Sequence, residues 1–181
     1  RICTTLVEIA YSELNTFKVN PSIDFLFKFS RIFNLPSMIN THLYRRYVTI
    51  VFKKSNQEFI LEIVKYIIEK KPKISPKIFE ILLGHSLKYL KNVDEGTLKI
   101  LWEFLSNKIE SKQTNLTAAI LICIIRLISK NSPPNDALKK IFENLQWTIS
   151  SPDVHIVIYS IKLSCELVKH NLMTSQFYYQ I

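Results

Sequence analysis

The chain has 181 residues, 48% of them apolar and 22% charged, and its 24 Lys and Arg against 15 Asp and Glu leave a net charge of +9. Its two glycines, Gly84 and Gly96, are too few for phosphate-binding loops, doubly wound nucleotide folds or tight β-meanders, which need glycine at fixed turn positions. The excess positive charge points to a polyanionic partner such as RNA, DNA or an anionic membrane face.

Along the chain, apolar residues recur at three- and four-residue spacing, as in Phe59, Ile60, Ile63, Val64, Ile67 and Ile68, which is the helical period. Polar breaks fall at Asn20-Pro21, Asn34-Leu35-Pro36, Lys54-Ser55-Asn56, Lys71-Pro72-Lys73 and Asn92-Val93-Asp94. They continue at Lys112-Gln113-Thr114, Asn131-Ser132-Pro133-Pro134, Ser151-Pro152 and His170-Asn171. These breaks predict nine helices and the start of a tenth, with Ser75, Thr114 and Ser151 as expected caps. The longest apolar run, residues 118–125, stops at Arg126, short of the ~18 residues of a membrane-spanning helix. Cys3, Cys123 and Cys165 lack metal or redox spacing, and their odd number suits a reducing compartment better than a disulfide framework.

Every odd-numbered predicted helix holds a small residue inside its apolar stretch, at Ser12, Thr49, Gly84, Cys123 and Ser160, at intervals of 37, 35, 39 and 37. Each following helix opens on a shared pattern, seen as Ile23 with Leu26-Phe27, Ile60 with Ile63-Val64, Leu98 with Leu101-Trp102 and Leu138 with Ile141-Phe142. A small side chain at one place on a helix lets a neighbouring backbone approach, and a bulky pair fills the gap beyond it. The expected fold is all-α, a right-handed α-solenoid of about five stacked helical hairpins with a period of about 37 residues. An irregular helical bundle is the alternative. Residues 1–181 are read as a single helical-repeat domain and, since the chain opens on Arg1, as a piece of a longer solenoid. Ile2, Leu6 and Ile9 at one end and Phe177, Tyr178, Tyr179 and Ile181 at the other are apolar, so further repeats or another chain are expected to cover them.

Three segments resemble degenerate pentatricopeptide repeats of fungal mitochondria: Pro76-Lys77-Ile78-Phe79-Glu80-Ile81-Leu82-Leu83-Gly84, Ser151-Pro152-Asp153-Val154, and Asp136-Ala137-Leu138-Lys139-Lys140-Ile141-Phe142-Glu143-Asn144-Leu145. The chain departs from that family where second helices hold Ile23, Ile60, Leu98 and Leu138 in place of a small residue, and its later hairpins are longer. Both features pull toward HEAT-like units. The resemblance implies single-stranded RNA in a groove lined by first helices, with phosphate held by Lys53, Lys88 and Arg126. It places base-reading positions on Glu8, Arg45, Glu80, Ala119 and Ile156, a set unlike the small polar residues of a modular code, so contact with the RNA backbone is expected to dominate.

Basic residues cluster at Arg45-Arg46, Lys53-Lys54, Lys70-Lys71-Lys73-Lys77 and Lys139-Lys140, and those at helix C-termini also suit the helix dipole. Tyr44, Arg45 and Tyr47 place aromatic rings beside a cation and stand as candidate base contacts. His42, His85, His155 and His170 have no metal-ligand spacing, and Cys123 reads as a small core residue. No residue arrangement supports catalysis, a metal or a cofactor, so a non-enzyme is expected. The expected function is RNA binding in post-transcriptional control of a transcript, acting on its stability, processing or translation, in the mitochondrial matrix. A HEAT- or armadillo-like scaffold for a protein partner is the alternative.

Overall fold

The structure is a computed structural model that describes residues 38–91, 93–111 and 114–173, together with Ile23, Leu26 and Phe27. The expected helix around Ser12, the tenth helix, Cys3 and Glu8, and both apolar chain ends lie outside the described residues. Among the described residues seven helices follow one another: α1 (Met38–Lys54), α2 (Gln57–Lys70), α3 (Pro76–Tyr89), α4 (Glu95–Glu110), α5 (Thr114–Ile128), α6 (Asn135–Ile149) and α7 (Val154–Lys169). Among the described residues there is no strand, and no helix is long and apolar enough to cross a membrane. The polar breaks from Lys54 onward fall between these helices, as the periodicity predicts.

Local chemistry sets the ends. The side chains of Asn56, Ser75 and Asp94 accept the amides of Phe59, Ile78 and Thr97, satisfying donors that the first turns of α2, α3 and α4 leave open. Pro76 then opens α3, where its missing amide costs nothing. At α7 the expected cap is displaced by two residues: Asp153 accepts the His155 amide at 2.8 Å, while Ser151 accepts the Asp153 amide at 3.2 Å. The carboxylate lies nearer the first free amides, and Pro152 between them keeps Ser151 outside the helix. α2 stops at Lys71, whose φ of 44° and ψ of 54° are left-handed.

The chain divides into two compact units, Arg1–Asn92 and Val93–Ile181. In the first, α3 packs on both α1 and α2. Tyr44, Tyr47, Val48 and Val51 recur along one face of α1 and are buried, as are Ile60, Ile63, Val64 and Ile67 of α2. Two contacts fix the direction of α1 against α3. Arg45 of α1 reaches Glu80 of α3, and the ring of Phe52, two turns later, meets the ring of Tyr89 with centroids 6.4 Å apart. The two helices therefore run side by side in the same direction.

In the second unit α4 packs on α5 and α6, and α7 packs on α5 and α6. α5 is apolar on nearly every side, and Ile120, Leu121, Cys123, Ile124 and Leu127 have no exposed surface. A helix of that composition has to lie inside, and removing each such aliphatic side chain from water contributes about 1.5–3 kcal/mol. Cys123 thus serves as a small core residue.

Lys71 holds a conformation that disfavours a side chain with a Cβ. Lys71→Gly is expected to raise stability by about 0.5 kcal/mol once glycine's greater unfolded-state freedom is counted. A higher denaturant midpoint is the predicted reading, and an unchanged or lower one contradicts strain at this position.

Candidate functional site

The positive charge is unevenly divided. Residues 1–92 hold fifteen of the 24 Lys and Arg but seven of the 15 Asp and Glu, a net +8, which leaves +1 for residues 93–181. Among the described residues of the first unit, Arg46, Lys53, Lys54, Lys88 and Lys91 all have exposed side chains.

The six candidate contact residues separate into four groups. Lys53 and Lys88 are exposed, and among the described residues neither has a carboxylate partner. Lys53 follows Phe52 and Lys88 precedes Tyr89, the two residues whose rings meet, so the two lysines occupy equivalent places in the last turns of α1 and α3. Packed helices lie about 8–10 Å apart, a separation that lets two ammonium groups reach neighbouring phosphates. The Lys88 Nζ lies 5.7 Å from the centroid of the Tyr89 ring. Arg126 belongs to the second unit, where it is half-buried on α5 with its Nη1 shielded and without a hydrogen-bond partner.

The aromatic candidates are elsewhere than expected. Tyr44 has 0% of its surface exposed and Tyr47 1%, and the Tyr44 hydroxyl donates to the carbonyl oxygen of Leu26 at 3.2 Å. Both rings belong to the core of the first unit, and neither presents a face on which a base could stack. Their spacing with Val48 and Val51 is the i, i+3, i+4, i+7 signature of a buried face, which outweighs the neighbouring arginines as a signal.

Arg45 is a structural cation. Its Nη2 donates to the Glu80 Oε1 at 2.9 Å, and Lys77 reaches the other carboxylate oxygen at 2.9 Å. The Glu80 side chain is only 8% exposed against 38% for Arg45, and a buried carboxylate needs such partners. The pair spans 35 residues and joins two of the expected base-reading positions to each other. Two more of those positions, Ala119 and Ile156, are buried in the second unit.

One organising residue has no signal in the sequence. Gln57, at the start of α2, donates from its Nε2 to the Tyr89 carbonyl oxygen at 3.1 Å and accepts the Lys91 amide at 2.7 Å. Its side-chain amide pins the end of α3 as a neighbouring peptide group would.

The second unit holds an open groove of about 580 Å³ between α4 and α6. Lys99, Lys139 and Lys140 line it, but so do Glu103, Glu110, Asp136 and Glu143. Lys140 is tied to Asn107 at 2.6 Å and to Glu110 at 3.0 Å. A groove with four carboxylates and three ammonium groups repels as many phosphates as it attracts. Among the described residues no group of three or more His, Cys, Asp and Glu is placed to hold a metal ion.

No protein-family model matches the chain, and no curated protein or solved structure matches it.

Arg45→Ala removes one of the two cations that hold a nearly buried carboxylate. It is expected to cost about 1–3 kcal/mol, and Glu80→Gln in the same background should restore part of it, because the residual penalty lies in the unpaired charge. Urea unfolding of the single and double variants tests this, and an Arg45→Ala midpoint equal to that of the parent chain would contradict the structural role.

Proposed function

We propose that the chain is an RNA-binding helical-repeat protein that acts in post-transcriptional control of a mitochondrial transcript, as the resemblance to pentatricopeptide repeats implies. The repeat is a right-handed α-solenoid with a period near 37 residues. Its support is that α1, α3, α5 and α7 begin at Met38, Pro76, Thr114 and Val154, which are 38, 38 and 40 residues apart. Gly84, Cys123 and Ser160 are buried, and Thr49 is half-buried. In each unit alternate helices pack on one another, α1 with α3, α4 with α6 and α5 with α7.

The observation that carries the RNA reading is the placement of Lys53 and Lys88. Two exposed cations that have no carboxylate partner among the described residues stand at equivalent places on helices that run side by side, in the half of the chain with a net charge of +8. Recognition is of the phosphate backbone. The base-reading positions within the described residues are engaged in an ion pair or buried in the core, so no one-base-per-repeat code operates through them.

A protein-scaffold reading has its own support. On α7, Val154, Ile158 and Ile161 are 67%, 41% and 45% exposed and recur on one side of the helix. Isolated exposed apolar residues are ordinary, whereas a row of three along a helix suits an apolar partner surface.

Lys53→Gln with Lys88→Gln should weaken binding to mixed-sequence single-stranded RNA. Measured between about 50 and 200 mM salt, the slope of log affinity against log salt should fall by about 1.4 for two lost phosphate contacts. An unchanged slope contradicts the assignment of these two lysines. Negligible RNA binding at both salts, together with a stoichiometric nuclease-resistant protein complex lost on Ile158→Glu, would favour the scaffold reading.

A further inference from the structure

With Tyr44 and Tyr47 in the core, the RNA reading lacks an aromatic surface beside the phosphate-binding lysines. Tyr89 is the residue that the geometry puts there. It is the last residue of α3 and is half-buried, so unlike Tyr44 and Tyr47 it is not enclosed in the core. Its ring packs edge-on against Phe52 at 76°. Its carbonyl oxygen is held by Gln57, which also holds the Lys91 amide. Position and tilt are thus set by two independent contacts, so the ring loses little freedom when a ligand lies on it. The Lys88 ammonium lies over the ring, Lys91 follows two residues on with its side chain exposed, and the exposed Lys53 adjoins Phe52 in the chain, as the exposed Glu58 adjoins Gln57.

A ring flanked by several cations has the chemistry that single-stranded nucleic acid uses, since a base stacks on the π-face while the ammonium groups meet the phosphates on either side. The Lys88 ammonium already makes a cation–π contact with that ring. Its exposed, flexible stem lets it swing to a phosphate when a base takes its place. We propose that Tyr89 is a stacking platform for one unpaired base of a bound RNA strand, with Lys53, Lys88 and Lys91 holding the phosphates that flank it. This inference rests on the RNA reading and adds a nucleobase contact that charge alone does not supply.

The test compares two probes of equal length, a mixed-sequence single-stranded RNA and an abasic ribose-phosphate strand. The parent chain should bind the RNA about tenfold more tightly than the abasic strand. Tyr89→Leu should remove that preference by weakening RNA binding alone, with the salt slope unchanged, whereas Tyr89→Phe should keep it. A measurement on the parent chain avoids any folding defect of the leucine variant: the Tyr89 ring protons should shift upfield when RNA is added and stay in place with the abasic strand. If RNA binds with a normal salt slope but Tyr89→Leu keeps the preference, or the ring protons do not move, the platform is overturned and the RNA reading stands. Equal losses in Tyr89→Phe and Tyr89→Leu would also overturn it, because the ring would then not be the contact. If neither strand binds at any salt, both readings fall together.

Discussion

The register of α1 against α3 depends on a carboxylate that cannot be left alone. Glu80 lies almost wholly out of water, where an unpaired negative charge would be costly, and the fold meets that cost with Arg45 from the neighbouring helix and Lys77 from one turn back. Because Arg45 and Glu80 can meet in one alignment only, the ion pair sets where every later residue of α1 stands relative to α3. Phe52 then falls against Tyr89, which puts Lys53 and Lys88 at equivalent places in the last turns of the two helices. Gln57 closes the far end by bonding both sides of the Tyr89-Leu90-Lys91 turn. The placement of Lys53 and Lys88 therefore follows from a part-buried ion pair about two turns away. Losing the pair would blur the spacing of the lysines before it unfolded the helices.

The second unit is held differently. Its central helix, α5, is apolar on almost all sides and lies among α4 and α7, so its stability comes mainly from apolar burial and depends little on salt or pH. Its polar groups are largely occupied with one another, as in the Lys140 contacts to Asn107 and Glu110 across α4 and α6. A unit of net charge +1 with compensated side chains has little to offer a polyanion, and its most unusual surface is the apolar row on α7. The two halves of the chain thus differ in character: the first carries the charge excess, while the second is nearly charge-balanced and has a row of three exposed apolar residues on α7. That contrast accommodates an RNA and a protein partner on one chain without competition for the same residues.

Most of the helical architecture was legible because it rests on local chemistry. The three- and four-residue spacing of Phe59 to Ile68 marks a buried face, and Ser75-Pro76 announces a helix start. The displaced cap at Asp153 shows the limit of that reading, since Ser151 and Asp153 are both good capping residues and the choice depends on which side chain reaches the first amides. The site was harder to read. Tyr44 and Tyr47 recur with Val48 and Val51 at the spacing of a buried face, a signal that the adjacent Arg45-Arg46 obscures. The link between Arg45 and Glu80 does carry a sequence signal: opposite charges at the same position of successive first helices, 35 residues apart, form a pair when those helices stack. Gln57 carries no such signal, because an amide that bonds a distant backbone looks in sequence like any polar residue at the start of a helix.

The central claim is that single-stranded RNA binds the first unit through the surface at the ends of α1 and α3. Ultraviolet cross-linking of the full chain to a mixed-sequence RNA, followed by mass spectrometry of the attached peptides, tests it most directly. The account predicts adducts concentrated on the peptides that carry Lys53, Lys88, Tyr89 and Lys91, with few on residues 93–173. Adducts centred on α4 to α7, or none at a concentration where a control RNA-binding protein is labelled, would contradict it.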